Sequence, residues 1–146
     1  MEYARFASKI IMRIDKGEEI VDTVKRFCTQ HDITLAFVSA IGAVNKANVG
    51  LFMQDTKKYY PKEFSGSMEI VSLSGTITQM KGKVYPHFHI ALSDDTYCVI
   101  GGHLNAAWVG ATCELVLEVM DGVVEREFSD EIGLNLFHFK MGKENH

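Results

Sequence analysis

Three histidines concentrate in one stretch of the chain, residues 85–103, with the sequence YPHFHIALSDDTYCVIGGH. His87 and His89 alternate with apolar residues, a pattern that is typical of a β-strand. Because side chains two residues apart in a strand share a face, both imidazoles are expected to point the same way. Neutral imidazole is the commonest side-chain ligand of metal ions. The pair therefore predicts the start of a metal site.

A hairpin would bring the third histidine to the same place. Residues 93–96 (Ser-Asp-Asp-Thr) have the composition of a turn, and residues 97–102 predict a returning antiparallel strand. A loop of residues 94–96 or of residues 93–97 places His103 opposite His87 and leaves Gly101 opposite His89. A two-residue loop would place His103 opposite Pro86, on the other face of the sheet.

Three converging imidazoles would form a recognised type of zinc site. Facing residues of adjacent strands have Cβ atoms roughly 5 Å apart, and zinc binds imidazole nitrogen at about 2.0–2.1 Å. Three histidines with an open fourth position are typical of catalytic rather than structural zinc. Two alternatives without metal remain open. The His-x-His pair would lie on a solvated sheet face, or the histidines would hydrogen-bond within the sheet.

One carboxylate is a candidate partner for the histidines. Residues 68–78 (MEIVSLSGTIT) predict a strand in which Glu69 shares a face with Leu73 and Gly75. Glu69 is therefore predicted as a general base or as a group that orients a metal-bound ligand. The alternative is a solvated residue at the end of a strand. Glu114 is a second candidate for the same role.

Composition limits the class of protein. The chain has 146 residues, which corresponds to one domain, and it carries a formal net charge of −4 with 47% hydrophobic and 23% charged residues. A free-standing DNA-binding protein usually has a basic stripe. The two lysine clusters, at residues 57–62 and 81–83, are expected to be solvated loops instead.

The cysteines indicate the compartment. Cys28, Cys98 and Cys113 have no CxxC spacing and lie in apolar or amphipathic segments, so we expect buried free thiols in a reducing compartment. The longest apolar runs have the length of strands, and no signal peptide is recognised. We therefore expect a cytoplasmic protein that does not bind a membrane.

Hydrophobic patterning predicts a strand-rich chain. A capping box of Asp15 and Glu18 is expected to begin a helix that reaches Gln30, followed by a strand at residues 33–41 that is covered on both faces. Residues 104–110 are expected to be weakly structured. Further strands are predicted at residues 5–14, 47–52, 68–78, 111–120 and 134–140. The pattern indicates an α+β fold with a mixed, largely antiparallel sheet and few helices.

Several stretches together resemble a known family, the PPC domain (plants and prokaryotes conserved). They occur in the family's order: residues 17–20 (GEEI), 40–43 (AIGA), 47–52 (ANVGLF), 69–76 (EIVSLSGT), 87–89 (HFH), 101–104 (GGHL), and Thr112 with Glu114. The resemblance covers about residues 5–140, within a single domain of residues 1–146.

The resemblance implies an α+β domain that assembles as a trimer. In plants the domain follows AT-hooks in nuclear proteins, and stand-alone prokaryotic members are often labelled candidate DNA-binding proteins. Some members resemble metal proteins through the histidines equivalent to His87, His89 and His103. This chain lacks the Arg-Gly-Arg-Pro hook of the plant proteins.

Two functions from different classes follow. The first is a homotrimeric zinc-binding protein whose open coordination position binds water or a small anionic or carbonyl ligand, and which is suited to hydrolytic or lyase chemistry. The second is a DNA-associated or regulatory binding module without catalysis. A trimer with a purely structural role is the third hypothesis. Zinc, a small-molecule ligand, nucleic acid and further copies of the chain are thus the partners to be tested.

Overall fold

Eight strands and one helix form the framework of residues 1–139, the part of the chain that the computed structural model describes. In chain order the elements are β1 (Glu2–Phe6), β2 (Lys9–Asp15), α1 (Ile20–Gln30), β3 (Ala36–Met53), β4 (Lys58–Met80), β5 (Lys83–Ser93), β6 (Val99–Val119), β7 (Glu125–Ser129) and β8 (Leu134–His138). Lys140, the predicted end of the last strand, and His146 lie outside the described residues.

The strands form one mixed sheet in which almost every pairing is antiparallel. The order is β1-β2-β6-β3-β4-β7-β8, and β5 pairs with both β4 and β6. The four long strands β3, β4, β5 and β6 therefore pair in a closed ring, and only the short contact between β4 and β7 is parallel. The predicted class, a largely antiparallel mixed sheet with few helices, is confirmed for residues 1–139.

The helix covers one side of the sheet. Its buried stripe packs on β5 and β6 and consists of Ile20, Thr23, Val24, Phe27 and Cys28. The predicted cap is wrong: Glu19, and not Asp15, is the N-cap, because its carboxylate accepts the backbone N–H groups of Val21 and Asp22. Glu18 does accept the N–H of Asp15, at 2.8 Å, but within the turn that precedes the helix.

The predicted strands at residues 33–41 and 47–52 belong to one strand, β3, which begins at Ala36 and not at residue 33. Two bulges, at residues 40–42 and 44–46, interrupt its pairing with β4 but leave the strand continuous. The expectation of burial on both faces is also wrong for a single chain, since burial alternates along the strand. Phe37 and Ile41 have 44% and 58% of their surfaces exposed on the side away from the core.

Two further segments differ from the prediction. Residues 5–14 are not one strand, because a turn at Ala7, with φ of 52°, separates β1 from β2. Residues 104–110 are not weakly structured but lie within β6, where the fully buried Ala107 and Val109 pack closely. Small side chains at this place serve close strand packing. Cys28 and Cys113 are buried as expected, whereas Cys98 is exposed.

Within residues 1–139, no helix has the length and the apolar character that crossing a bilayer requires.

Candidate metal centre

The register of the β5–β6 hairpin places His103 opposite His89. The predicted partner, His87, is wrong by two residues, and Gly101 lies opposite Ala91 rather than His89. Because the error is an even number, every side chain keeps its predicted face of the sheet. The three imidazoles therefore still point to one side.

The two-residue shift arises because the loop spans residues 94–98 rather than residues 94–96 or 93–97. The carboxylate of Asp94 accepts the backbone N–H groups of Thr96 at 2.9 Å and of Cys98 at 3.2 Å. Tyr97 then adopts a left-handed conformation, with φ of 63°. Asp is a regular residue for such a turn, but a tyrosine with positive φ has no sequence signal. The position of the loop was therefore not predictable.

The structure brings His87, His89 and His103 into one cluster. The ring centroids are 5.1 Å apart for His87 and His103, 5.3 Å for His87 and His89, and 5.7 Å for His89 and His103. One nitrogen of each ring lies within 4.8 Å of the others. His87 and His103 are half-buried, and His89 is exposed. Such a cluster has one open side.

The surroundings favour neutral imidazoles. Burial, followed by the positive charge of Arg126, lowers the pKa of His87 to about 4. Burial also lowers the pKa of His103, and the neighbouring His89 and Arg126 act in the same direction. A metal ion binds only the deprotonated ring. A low pKa therefore reduces the competition from protons at neutral pH.

The cluster fits a zinc ion by donor type and by spacing. Tetrahedral zinc with ligands at about 2.0–2.1 Å requires nitrogen atoms about 3.3 Å apart, so the rings must close in only slightly from the present maximum of 4.8 Å. Among residues 1–139, the cluster contains no thiolate or carboxylate. Three imidazoles would leave one coordination position for a ligand.

Gly75 permits the close approach of β4 beneath the cluster. It lies opposite Phe88, the residue between the two histidines of β5. A Cβ atom at this position would overlap the backbone carbonyl oxygen of His87 and lie 2.8 Å from the Cα atom of Phe88. The serine-leucine-serine-glycine motif thus has a structural reason: its glycine sets the position of the histidine strand.

Sequence reasoning missed Arg126, which contacts the cluster from β7. Its guanidinium Nη2 lies 3.2 Å from Nδ1 of His87. Its Nε donates to the hydroxyl of Thr78 at 2.9 Å, and its Nη1 donates to the backbone carbonyl of Asn135 at 2.8 Å. Only 8% of the residue is exposed. A single arginine, in a segment that matched none of the predicted strands, gave no signal of this role.

Aromatic rings hold the guanidinium in place. Its central carbon lies 4.9 Å from the ring centroid of Tyr85 and 4.4 Å from that of Phe137, which is a cation–π arrangement. The side-chain amide of Asn135 donates to the hydroxyl of Tyr85 at 3.1 Å. The β7–β8 hairpin, which carries Arg126, Asn135 and Phe137, therefore forms one wall beside the histidines.

Tyr59 contacts the cluster from the opposite side. Its ring meets that of His103 edge to face at 5.9 Å, and its hydroxyl donates to the amide oxygen of Asn105 at 2.8 Å. Asn105 in turn donates to Asn48 at 2.7 Å. Gly50, opposite His103, has no side chain to obstruct the tyrosine; a Cβ there would overlap the ring.

These groups border a cavity of about 650 Å³. Its polar residues include the three histidines, Arg126, Tyr59 and Tyr85. Much of the remaining lining is apolar, namely Leu51, Phe52, Phe128, Leu134, Leu136 and Phe137. Among the described residues, no aspartate or glutamate lines it. The cavity is thus positively charged and largely hydrophobic.

The structure places Glu69 outside this cavity. Glu69 is exposed and lies opposite Ser93, four residues beyond His89 along β5, which corresponds to about 13 Å. The predicted shared face with Leu73 is wrong, because a bulge between Ile70 and Ser72 reverses the alternation. Its role as a base or orienting group stays a prediction. Glu114, exposed opposite Arg13 and Ile41, also lies away from the cavity.

The fold and the site together define a strand-rich α+β domain with a histidine cluster in a pocket. A family model described as the Plants and Prokaryotes Conserved (PCC) domain matches residues 1–121. The chain belongs to this family. Among curated proteins, none matches the chain.

Solved structures of relatives share the fold. A candidate DNA-binding protein from Bacteroides thetaiotaomicron is 32% identical with a TM-score of 0.92, over 94% of this chain and 96% of that one. A metal-containing protein from Archaeoglobus fulgidus is 35% identical with a TM-score of 0.83, over 94% and 96%. A plant- and prokaryote-conserved (PPC) protein from Pyrococcus horikoshii is 27% identical with a TM-score of 0.83, over 95% and 94%.

Substitution of Arg126 should raise the pKa of His87 in metal-free protein. The positive guanidinium opposes protonation of the ring, so Arg126→Gln should move this pKa upward from about 4, while burial, the larger cause, keeps it below 6.5. Proton or ¹⁵N NMR titration of the histidine rings measures the change. Lys46→Gln, at a partly exposed lysine paired with Glu63, is the control and should leave the pKa unchanged. An unchanged or lower pKa in Arg126→Gln would contradict the assigned electrostatics.

Proposed function

We propose that this protein binds one zinc ion per chain through His87, His89 and His103, and that a small ligand occupies the open coordination position. The observation that carries the proposal is the convergence of three imidazole nitrogens within 4.8 Å of one another in the lining of a cavity. The lowered pKa values of His87 and His103 support it, because they favour the form of the ring that binds metal.

The relative from Archaeoglobus fulgidus gives independent support. It is named a metal-containing protein and is 35% identical over 94% of this chain. The donor set favours zinc among the common ions, because three imidazoles suit zinc better than magnesium or calcium, which prefer oxygen.

The chemistry of the site depends on the ligand at the open coordination position of the metal ion. A bound zinc ion acts as a Lewis acid that polarises an oxygen atom of the ligand, and this chemistry serves hydrolytic and lyase reactions. The chain itself would supply the surroundings. Tyr59 lies beside His103 and Arg126 lies beside His87, and the apolar wall reduces access of water to the ligand.

We also propose that the protein is a homotrimer. The outer face of the sheet, on the side away from the core, exposes Ile11, Phe37, Ile41 and Val71. Large apolar side chains that are exposed on a sheet face favour burial by a second protein surface. The number of three copies follows from the family resemblance. In the assembly, a neighbouring chain would cover the outer face of β3. Both faces of the strand would then be buried, as its apolar sequence predicts.

A DNA-associated module without catalysis is the alternative. The name of the relative from Bacteroides thetaiotaomicron supports it. The net charge of −4 opposes it, since binding to phosphates requires clustered positive charge.

Purified protein should contain about one zinc ion per chain without added metal, because three neutral imidazoles form a pre-assembled site. Elemental analysis of untagged protein measures the content. His87→Ala should lose the ion, while His138→Ala, at an exposed histidine paired with Glu127, should keep it. Circular dichroism checks that both variants are folded. Less than about a tenth of an equivalent in the wild type, unchanged by His87→Ala, would overturn the metal site.

Light scattering should give a mass near three chains of 16.4 kDa. Ile41→Asp places a charge on the exposed apolar face and should shift the protein to monomers, because burying an unpaired carboxylate is unfavourable. Val123→Asp, at an exposed residue in the loop before β7, is the matched control and should remain trimeric. A monomeric wild type would be incompatible with the proposed assembly.

A mobility-shift titration at two salt concentrations separates the metal protein from the DNA-binding alternative. We expect no shift of duplex DNA at either concentration, given the acidic charge. A complex that forms at low salt and weakens steeply as salt increases would favour the alternative, because that dependence reports counterion release from phosphates.

A further inference from the structure

Arg126 carries a buried positive charge for which residues 1–139 provide no counterion. Its three hydrogen-bond partners, Thr78, Asn135 and His87, are all uncharged groups or a neutral ring. The described residues form no ion pair with it. A buried charge without an opposite charge is unfavourable. The aromatic rings of Tyr85 and Phe137 compensate only in part.

The hydrogen bond to His87 is incompatible with a metal ion on that ring. A guanidinium only donates, so Nδ1 of His87 must accept, and the neutral ring then carries its proton on Nε2. If Nε2 binds a metal ion, the proton moves to Nδ1 and two donors face each other. If Nδ1 binds the ion, its lone pair is no longer available to Arg126. In both cases the bond from Nη2 is lost.

Metal binding would therefore free one N–H group of Arg126 beside the ion. The cavity gives it no carboxylate among the described residues, and the ion adds further positive charge. An anionic oxygen atom would accept the free N–H group and would also balance the positive charges of Arg126 and the ion. Because Nη2 lies 3.2 Å from an atom of His87, a carboxylate that reaches the ion also comes within reach of the freed N–H group, with which it would form a charge-assisted hydrogen bond.

The walls of the cavity restrict the chemical character of the part of the ligand that lies beyond its anionic group. Leu51, Leu134 and Leu136 line the volume of about 650 Å³ together with Phe128 and Phe137. Apolar walls favour an aliphatic or aromatic body, and they disfavour a phosphate or a nucleotide, which would lose its hydration.

We propose that the cavity binds a small organic carboxylate with an apolar body, and that Arg126 selects the carboxylate group. The inference rests on the proposed metal site. Arg126 has two functions in it. It hydrogen-bonds His87 in the metal-free protein, and it binds the anion when the ion is present.

Calorimetric titration of the zinc-loaded full chain tests this proposal with two probes of similar shape. 4-Methylpentanoate should bind at least about tenfold more tightly than the uncharged 4-methylpentanamide, because it gains a charge-assisted hydrogen bond. Inorganic phosphate should bind more weakly than 4-methylpentanoate. Equal binding of the carboxylate and the amide, tighter binding of phosphate, or no binding of the carboxylate would overturn the proposed ligand class.

Substitutions of Arg126 test whether this residue selects the carboxylate group. Arg126→Gln should reduce the preference for the carboxylate to the part that the zinc ion itself contributes, and Arg126→Lys, which keeps the charge but lacks the fixed guanidinium geometry, should reduce it less. Lys46→Gln is the control and should behave as the wild type. An unchanged preference in both Arg126 variants would show that another group selects the anion.

Zinc content measured on the same samples keeps the two proposals separate. Zinc-free wild-type protein would contradict the metal site itself. One zinc ion per chain without carboxylate preference would contradict only the inference on Arg126. Absorption of cobalt(II)-substituted protein provides a second readout, since the spectrum should change on addition of 4-methylpentanoate but not of the amide.

Discussion

The alternation of side chains between the two faces of a strand is the constraint on which the histidine cluster depends. His87 and His89 share a face because they are two residues apart, and His103 joins them because the β5–β6 pairing keeps an even offset. A displacement of one residue would place His103 on the opposite face. The Asp94 turn, through its hydrogen bonds to Thr96 and Cys98, holds the pairing in place.

Much of this arrangement follows from local sequence, and the errors have identifiable causes. The common face of the histidines was predicted correctly, because it depends only on whether the register error is an even or an odd number of residues. Their pairing was not predicted correctly, because it depends on the conformation of Tyr97. The strand class and the helix with its buried stripe were also predictable from periodicity. The bulges were not, and one of them, between Ile70 and Ser72, reversed the expected face of Glu69.

Arg126 shows the limit of sequence reasoning most clearly. It lies 39 residues from His87 in the chain, and its role depends on contacts that no local pattern encodes. Burial, two flanking aromatic rings and a neutral acceptor together define its environment. The protein as a whole is acidic, yet the described groups around the cavity that can carry charge are all cationic or neutral. Electrostatics at the site are thus opposite in sign to those of the molecule.

The strand β3 passes from the exposed apolar face to the wall of the cavity. Phe37 and Ile41 lie in its first half, and Gly50 and Leu51 border the histidines in its second half. Since inserting or deleting one residue reverses the direction of every later side chain in a strand, the chain length between these halves is constrained to change in steps of two. The register of β3 already shifts at residues 40–42 and 44–46 against β4, and at residues 42–46 and 48–49 against β6. Natural length variation within this strand should therefore be concentrated at these irregularities.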